Sequence, residues 1–455
     1  MSGPRPSDLT ASEACREIAA GELTATALLE DCIARVEARE PDLRAWARFE
    51  PEPARRRAAD IDQQLHEGTF EGRLPGIPVG VKDVFNTADL ATEMGSPIWK
   101  GFTPGNDARV VAHLRWQGAL VPGKTATAEF AVHHPGPTRN PHRATHSPGT
   151  SSSGSAAAVA SHMLPMALGT QTAGSTIRPS SYCGIYGFKP TFGVIPRTGI
   201  LKTLDTLDHV SMMARSIEDL RLMFDCCRVE GVNHPYVHTT IDQWSPERLT
   251  MPIRVGLVRG PVWEHAEPYA QTALLELAHE WAADPDVELD ELTLPGVFTD
   301  AHDLHDLIYS KALSYYFRQE YTEHRELVSD RFLEMVEHGA QVSTTAYHDG
   351  LARQRALVHT LEEVFERYDV ILNLSTGGVA PEGLDGRDRP DCCLIWTLCH
   401  APAMSVPVFT GPDGLPFGAQ LVATRYADPA LLWIAETLRA KGLVREWSPE
   451  PVEAV

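Results

Sequence analysis

The chain is short of positive charge. Its 40 Lys and Arg stand against 61 Asp and Glu, and the resulting net charge of −21 makes the surface acidic. A nucleic-acid footprint needs clustered Lys and Arg to neutralise phosphates, so the composition argues against a nucleic-acid partner. Long apolar runs are also missing: nowhere do 18 apolar residues pass without a polar break. The opening MSGPRPSDLT has no charged segment leading into an apolar one, and the expectation is a soluble, cytoplasmic protein with no membrane partner. The eight cysteines form no CxxC and include the adjacent pairs Cys226-Cys227 and Cys392-Cys393, which suits reduced core thiols better than disulfides or metal ligands. No HExxH occurs among the histidines. The nearest approach, His302-Asp303-Leu304-His305, is read as a solvated helix face, and no metal is expected. Two serine layouts are absent as well: GxSxG, which marks a nucleophile elbow, and SxxK, which opens a β-lactamase-type site.

What is present is an alternation of helix-like and strand-like stretches. Thr10 followed by Glu13 is a capping box, and Leu28, Leu29, Cys32, Ile33 and Val36 form a helical apolar stripe, so residues 1–70 read as a helical packing part. From Gly76 the texture changes to short β-prone runs (77–81, 119–121) around a helix at 108–117. Later strands are expected at 253–258, 370–372, 404–406 and 418–422, with helices at 268–283 and 301–339. Residues 136–155 are rich in Pro, Gly, Ser and Thr, but they lead straight into Ala156-Ala157-Ala158-Val159-Ala160. A second small-residue loop at 169–175 follows, so two loops flanking a helix of tiny side chains read as a site and not as a tether. No repeat and no convincing linker divides the chain. The fold class is α/β, one large domain over 1–455 with a central mixed, twisted sheet covered by helices. Residues 71–225 form its catalytic core, and 286–345 a variable helical insertion near the pocket.

A nucleophilic serine needs a proton acceptor, a group to orient that acceptor, and N–H groups aimed at the developing oxyanion. Lys82 at the end of a strand-like run, the cluster Ser151-Ser152-Ser153 and the pair Gly174-Ser175 supply the residue types. The runs that carry them, GIPVGVKDVF (76–85), SPGTSSSGSAAAVAS (147–161), ALGTQTAGSTIRPSSYCGIYGFKPTFG (167–193) and LDHVSMMARSIEDL (207–220), resemble the amidase signature family. Weaker similarity extends from the N-terminal helices to DGLPFGAQLVA (413–423). GTQTxGSxIRP and APEGLDG (380–386) are most similar to the malonamidase-like and general aliphatic amidase branch.

The resemblance implies the amidase signature fold and an amidohydrolase that uses a Ser-cisSer-Lys relay. Ser175 is the implied nucleophile, Ser151 the bridging serine behind a cis peptide bond, and Lys82 the terminal base. It further implies that Ser152 supports the lysine, that Thr172, Ala173 and Gly174, with Ser175, form the oxyanion hole, and that Gln171 orients that loop. The chemical reason is that burial disfavours an ammonium, so a buried Lys82 can be neutral and accept a proton near neutral pH. Arg178 is read either as a structural ion-pair partner or as a contact for a substrate carboxylate, with Asn373 as a further substrate contact. No cofactor is implied, the partner is a small-molecule amide, and a homodimer is frequent in such proteins. Thr150 and Ala173 stand where glycine is commoner in the family. Alternatives are an acyl transferase or amide-forming enzyme, an amidotransferase A-type subunit using the same acyl-enzyme, and an inactive binding protein of the same fold.

Overall fold

The structure is a computed structural model that describes residues 5–230, 239–384 and 388–448. Residues 385 and 386 of the APEGLDG run lie outside the described residues. The strands are β1 (Trp46–Phe49), β2 (Val79–Lys82), β3 (Gly123–Thr125), β4 (Met166–Gln171), β5 (Tyr186–Lys189), β6 (His209–Ala214), β7 (Ile253–Leu257), β8 (Val287–Glu291), β9 (Val370–Leu374), β10 (Ala403–Thr410) and β11 (Pro416–Val422). They form an 11-stranded sheet in the order β1-β3-β2-β4-β6-β5-β10-β11-β9-β7-β8. β3, β2 and β4 run parallel, as do β9, β7 and β8, while the central pairings from β4 through β6, β5, β10 and β11 to β9 are antiparallel. The mixed α/β architecture expected of the sequence is the one observed.

Helices cover both faces, so β2, β4, β5, β6, β9 and β11 are buried along their whole length. Such strands carry no inside-outside alternation. The period-two signal therefore failed at β4, whose Gly169-Thr170-Gln171 had read as a turn, and at β5 and β6. The segment 286–345 is likewise not helical throughout: it opens with β8 on the sheet edge, followed by helices Ala301–Tyr316, Arg318–Glu323 and Asp330–Gln341. The N-terminal helices form as read. Thr10 accepts from the Glu13 N–H while the Glu13 carboxylate accepts the Thr10 N–H, and the apolar stripe of helix Ala25–Leu43 is buried. None of the eight cysteines is in a disulfide. No described helix is long and apolar enough to cross a membrane.

Helix Ser153–Ala160 packs against the parallel strands with nearly every residue buried, which its Gly, Ala and Ser side chains make possible. Gly149, just before it, has φ of +85°, and a Cβ there would stand 2.9 Å from the Pro179 Cα. Only glycine lets the loop before this helix close against helix Ile177–Cys183.

Candidate active site

Lys82 is the last residue of β2 and is fully buried. Parallel pairing with β4 places it beside the end of that strand. Its Nζ lies 2.7 Å from Ser151 Oγ, 3.0 Å from Ser152 Oγ and 2.7 Å from Thr170 Oγ1. Burial pushes the Lys82 amine well below its ordinary pKa, opposed only by the attraction of Asp208. A neutral amine has two N–H donors and one lone pair, so three hydroxyl neighbours require one of them to donate to nitrogen. The Ser152 hydroxyl donates to the Thr170 carbonyl at 3.2 Å, which leaves Ser151 or Thr170 to fill the lone pair.

The Thr150-Ser151 peptide bond is cis, and the Ser152 N–H donates to the Ser175 carbonyl at 3.2 Å, joining the two small-residue loops. Ser175 itself is half-buried. The loop 171–175 is held from several sides. Gln171 Oε1 accepts the N–H groups of Thr176 and Ile177 at 2.9 and 3.0 Å, and its Nε2 donates to Thr397 Oγ1 at 3.0 Å. The Thr172 hydroxyl donates to Asp208 at 2.8 Å. Three successive carbonyls are occupied: Thr172 O by His305 Nε2 at 2.9 Å, Ala173 O by Thr397 Oγ1 at 2.6 Å, and Gly174 O by the Arg178 N–H at 2.9 Å. In a planar trans peptide the N–H points away from its carbonyl, so these contacts direct the N–H groups of Ala173, Gly174 and Ser175 to the other side. Among the described residues those three N–H groups meet no protein acceptor.

Beside this loop lies a cavity of about 220 Å³ whose wall includes Thr150, Ala173, Arg178, His305, Asp388 and Asp391. Arg178 Nη1 donates to Asp388 at 2.7 Å and Nη2 to Asp391, with all three side chains buried or nearly so. Burial alone would raise both carboxyls, but the guanidinium more than offsets it and holds them below the usual carboxylate range. The aspartates are well satisfied: Asp388 also takes the Thr150 hydroxyl at 2.5 Å, and Asp391 the N–H groups of Cys393 and Leu394 at 2.7 and 3.0 Å. Asp391 comes so close to Gly174 that a Cβ there would meet its carboxylate at 2.5 Å.

The arrangement of buried lysine, cis-linked serine and oriented amide loop is matched by comparison with known proteins. Residues 27–432 match the Amidase family. The chain belongs to the amidase signature family. It is 32% identical to the A-type subunit of the glutamyl-tRNA(Gln) amidotransferase of Chloroflexus aggregans (strain MD-66 / DSM 9485), over 96% of this chain and 97% of the relative. Among solved structures it superposes on the peptide amidase of Stenotrophomonas maltophilia with a TM-score of 0.83 at 26% identity, covering 98% of this chain and 100% of the other. A 6-aminohexanoate cyclic dimer hydrolase solved with its substrate gives 0.83 at 25% identity, over 97% and 98% of the two chains. As an amidase the protein is an enzyme of amide C–N bond cleavage.

Within this amidase the structure brings Lys82, Ser151, Ser152, Gln171, the loop 172–174 and Ser175 together in one place. It also corrects three readings. Asn373 does not line the cavity beside the serines; it is buried in β9 with Gln420 Nε2 3.0 Å from its amide. Arg178 is engaged by two carboxylates of its own chain, which supports the structural reading and leaves it no unpaired charge for a substrate carboxylate. His305 is not on a solvated face, because helix Ala301–Tyr316 packs onto the amide loop and buries it. Thr170, Thr397, Asp388 and Asp391 were missed. Thr170 sits inside a quoted motif, whereas a lone threonine and two aspartates in a Pro-rich loop carry no local signal. Replacing Arg178 by Met is expected to destabilise the fold by roughly 3 to 5 kcal/mol, since two buried carboxylates lose their partner. Depressed Asp pKa values contribute stability above about pH 4 that is lost as pH falls, so the melting-temperature gap between wild type and R178M will narrow on acidification.

Proposed function

We propose that the enzyme hydrolyses a small to medium carboxamide through an ester on Ser175, with Ser151 and neutral Lys82 moving the proton. The observation that carries this reading is the Lys82 amine, wholly buried and 2.7 Å from the Ser151 hydroxyl. In the proposed sequence Lys82 accepts the Ser151 proton while Ser151 accepts that of Ser175, and Ser175 Oγ adds to the amide carbon. The oxyanion lies against the N–H groups of Ala173, Gly174 and Ser175, each donor lowering the barrier by roughly 3 kcal/mol. Collapse expels ammonia or an amine, which leaves with the proton returned through Ser151. Water then enters by the reverse route, cleaves the ester and restores the serine. Every proton stays on protein groups, substrate or water, and the chemistry is assigned to the cytoplasm.

Primary amides and arylamides incubated with wild type and Ser175→Ala test the reading. Turnover by wild type alone is expected, and equal turnover by both proteins contradicts it. A second reading, favoured by the likeness to an amidotransferase A-type subunit, is transfer of the acyl group to an amine instead of water. With hydroxylamine added to a turning-over amide, hydrolysis as the native reaction predicts mainly acid with a minor hydroxamate fraction. Transfer predicts that the amine captures most of the acyl group, and a transfer subunit would co-purify with partner chains.

A further inference from the structure

The three occupied carbonyls of the amide loop are clamped from different parts of the chain, and one clamp comes from outside the catalytic motifs altogether. His305 stands on helix Ala301–Tyr316, in the segment 286–345 that the sequence placed near the pocket. Its Nε2 lies 2.9 Å from Thr172 O. A carbonyl oxygen only accepts, so Nε2 carries the proton, and the imidazole is locked in the Nε2–H tautomer with Nδ1 bare. The ring is 4% exposed and set edge-on to Tyr309, its centroid 5.4 Å away. Leu304, Ile308 and Tyr309 share one apolar cluster with Ile395 and Trp396, on the helix that brings Thr397 to Ala173 O. The two clamps therefore rest on one packed unit.

We propose that His305 is a positioning residue of the oxyanion hole: by holding the Thr172 carbonyl it turns the Ala173 N–H toward the reacting carbonyl. The inference rests on the proposed acyl-enzyme reading. The chemistry is that of a planar peptide, whose two polar ends face opposite ways. Held by His305, the Thr172-Ala173 plane presents a donor to the oxyanion; released, the plane is free to turn and to present a partial negative charge at the same spot. Thr397 does the same for the next plane, and the Arg178 N–H for the third. Preorganised donors stabilise a transition state because they need no reorientation as charge develops. His305 touches no reacting atom, so its removal changes the limiting rate and leaves ground-state binding in place.

A fluorophosphonate that phosphonylates Ser175 is the probe, because its attack places an oxyanion in the same hole without the natural amide being known. Labelling is resolved into a saturation constant and a limiting rate for wild type, H305L, H305Q, H305N and S175A, with folding followed by thermal melting. H305L is expected to lose on the order of 10-fold to 100-fold in limiting rate with a saturation constant within about twofold. Gln places an N–H near the position of Nε2 and is expected to restore most of the rate, whereas Asn, one methylene shorter, is expected not to. A wild-type limiting rate in H305L, a loss confined to the saturation constant, or equal rates for H305Q and H305N overturns the proposal. Should H305L not fold, the comparison of H305Q with H305N carries the same decision. Labelling of S175A at the wild-type rate, or none in wild type, instead sinks the acyl-enzyme reading itself.

Discussion

Ser175→Ala will bind its amide and leave it intact, with kcat reduced on the order of 10⁴-fold to 10⁶-fold, as for loss of the nucleophile in other serine enzymes. The size follows from the absence of a substitute. Ser151 is fully buried and Ser152 donates to the Thr170 carbonyl, so neither offers its oxygen to the cavity. The fold is expected to survive, because the contact that joins the two loops uses the backbone carbonyl of Ser175, which alanine keeps. Single-turnover mixing of enzyme and substrate, read as released amine per active site, checks it. A burst of amine from S175A would show that another atom attacks.

Lys82→Arg and Lys82→Met will be almost equally inactive, each losing on the order of 10³-fold or more in kcat/KM. The equality is the informative part. A relay that needed only a positive charge near Ser151 would tolerate arginine, whereas one that needs a lone pair would not, since a guanidinium does not deprotonate in a protein. Burial lowers the Lys82 pKa, so the wild-type rate is expected to rise with pH through the depressed value and then level, and to fall on the acid side. Stability carries the same signature. Between the depressed folded value and about 10.4 the unfolded chain holds a proton that the folded chain lacks, so wild-type stability rises with pH in that window, by up to about 1.4 kcal/mol per pH unit relative to K82M. Denaturant midpoints of the two proteins across that window test it.

Much of the catalytic arrangement was legible because it is carried by short runs whose residue types have few other reasons to occur together. Lys82 and Ser151 are 69 positions apart in the chain, and only the parallel pairing of β2 with β4 brings them into contact, yet each sits in a motif readable by itself. The capping box at Thr10 and the stripe from Leu28 to Val36 were legible for a different reason, since local hydrogen bonding and one-sided burial leave a period in sequence. Where burial is two-sided the period vanishes, which is why β4, β5 and β6 escaped notice. His305 was misread because a histidine on a helix looks the same whether it faces water or a carbonyl; only the docking of helix Ala301–Tyr316 distinguishes the two. Asp388 and Asp391 belong to a stretch with no regular pattern, and their meaning arises only once Arg178 stands between them. Asn373 was misplaced by reading a motif position as a pocket position, when β9 turns its amide toward Gln420.

The central claim is that the Lys82 side chain is uncharged while the enzyme works. The protein has seven lysines, few enough for a spectrum of chain labelled with ¹³Cε-lysine to be assigned by difference against K82M. The expected result is one ε-carbon with the shift of a free amine at neutral pH, changing to that of an ammonium only as the solution is acidified, in step with loss of activity. A Lys82 resonance that keeps the ammonium shift throughout the active pH range would contradict the account.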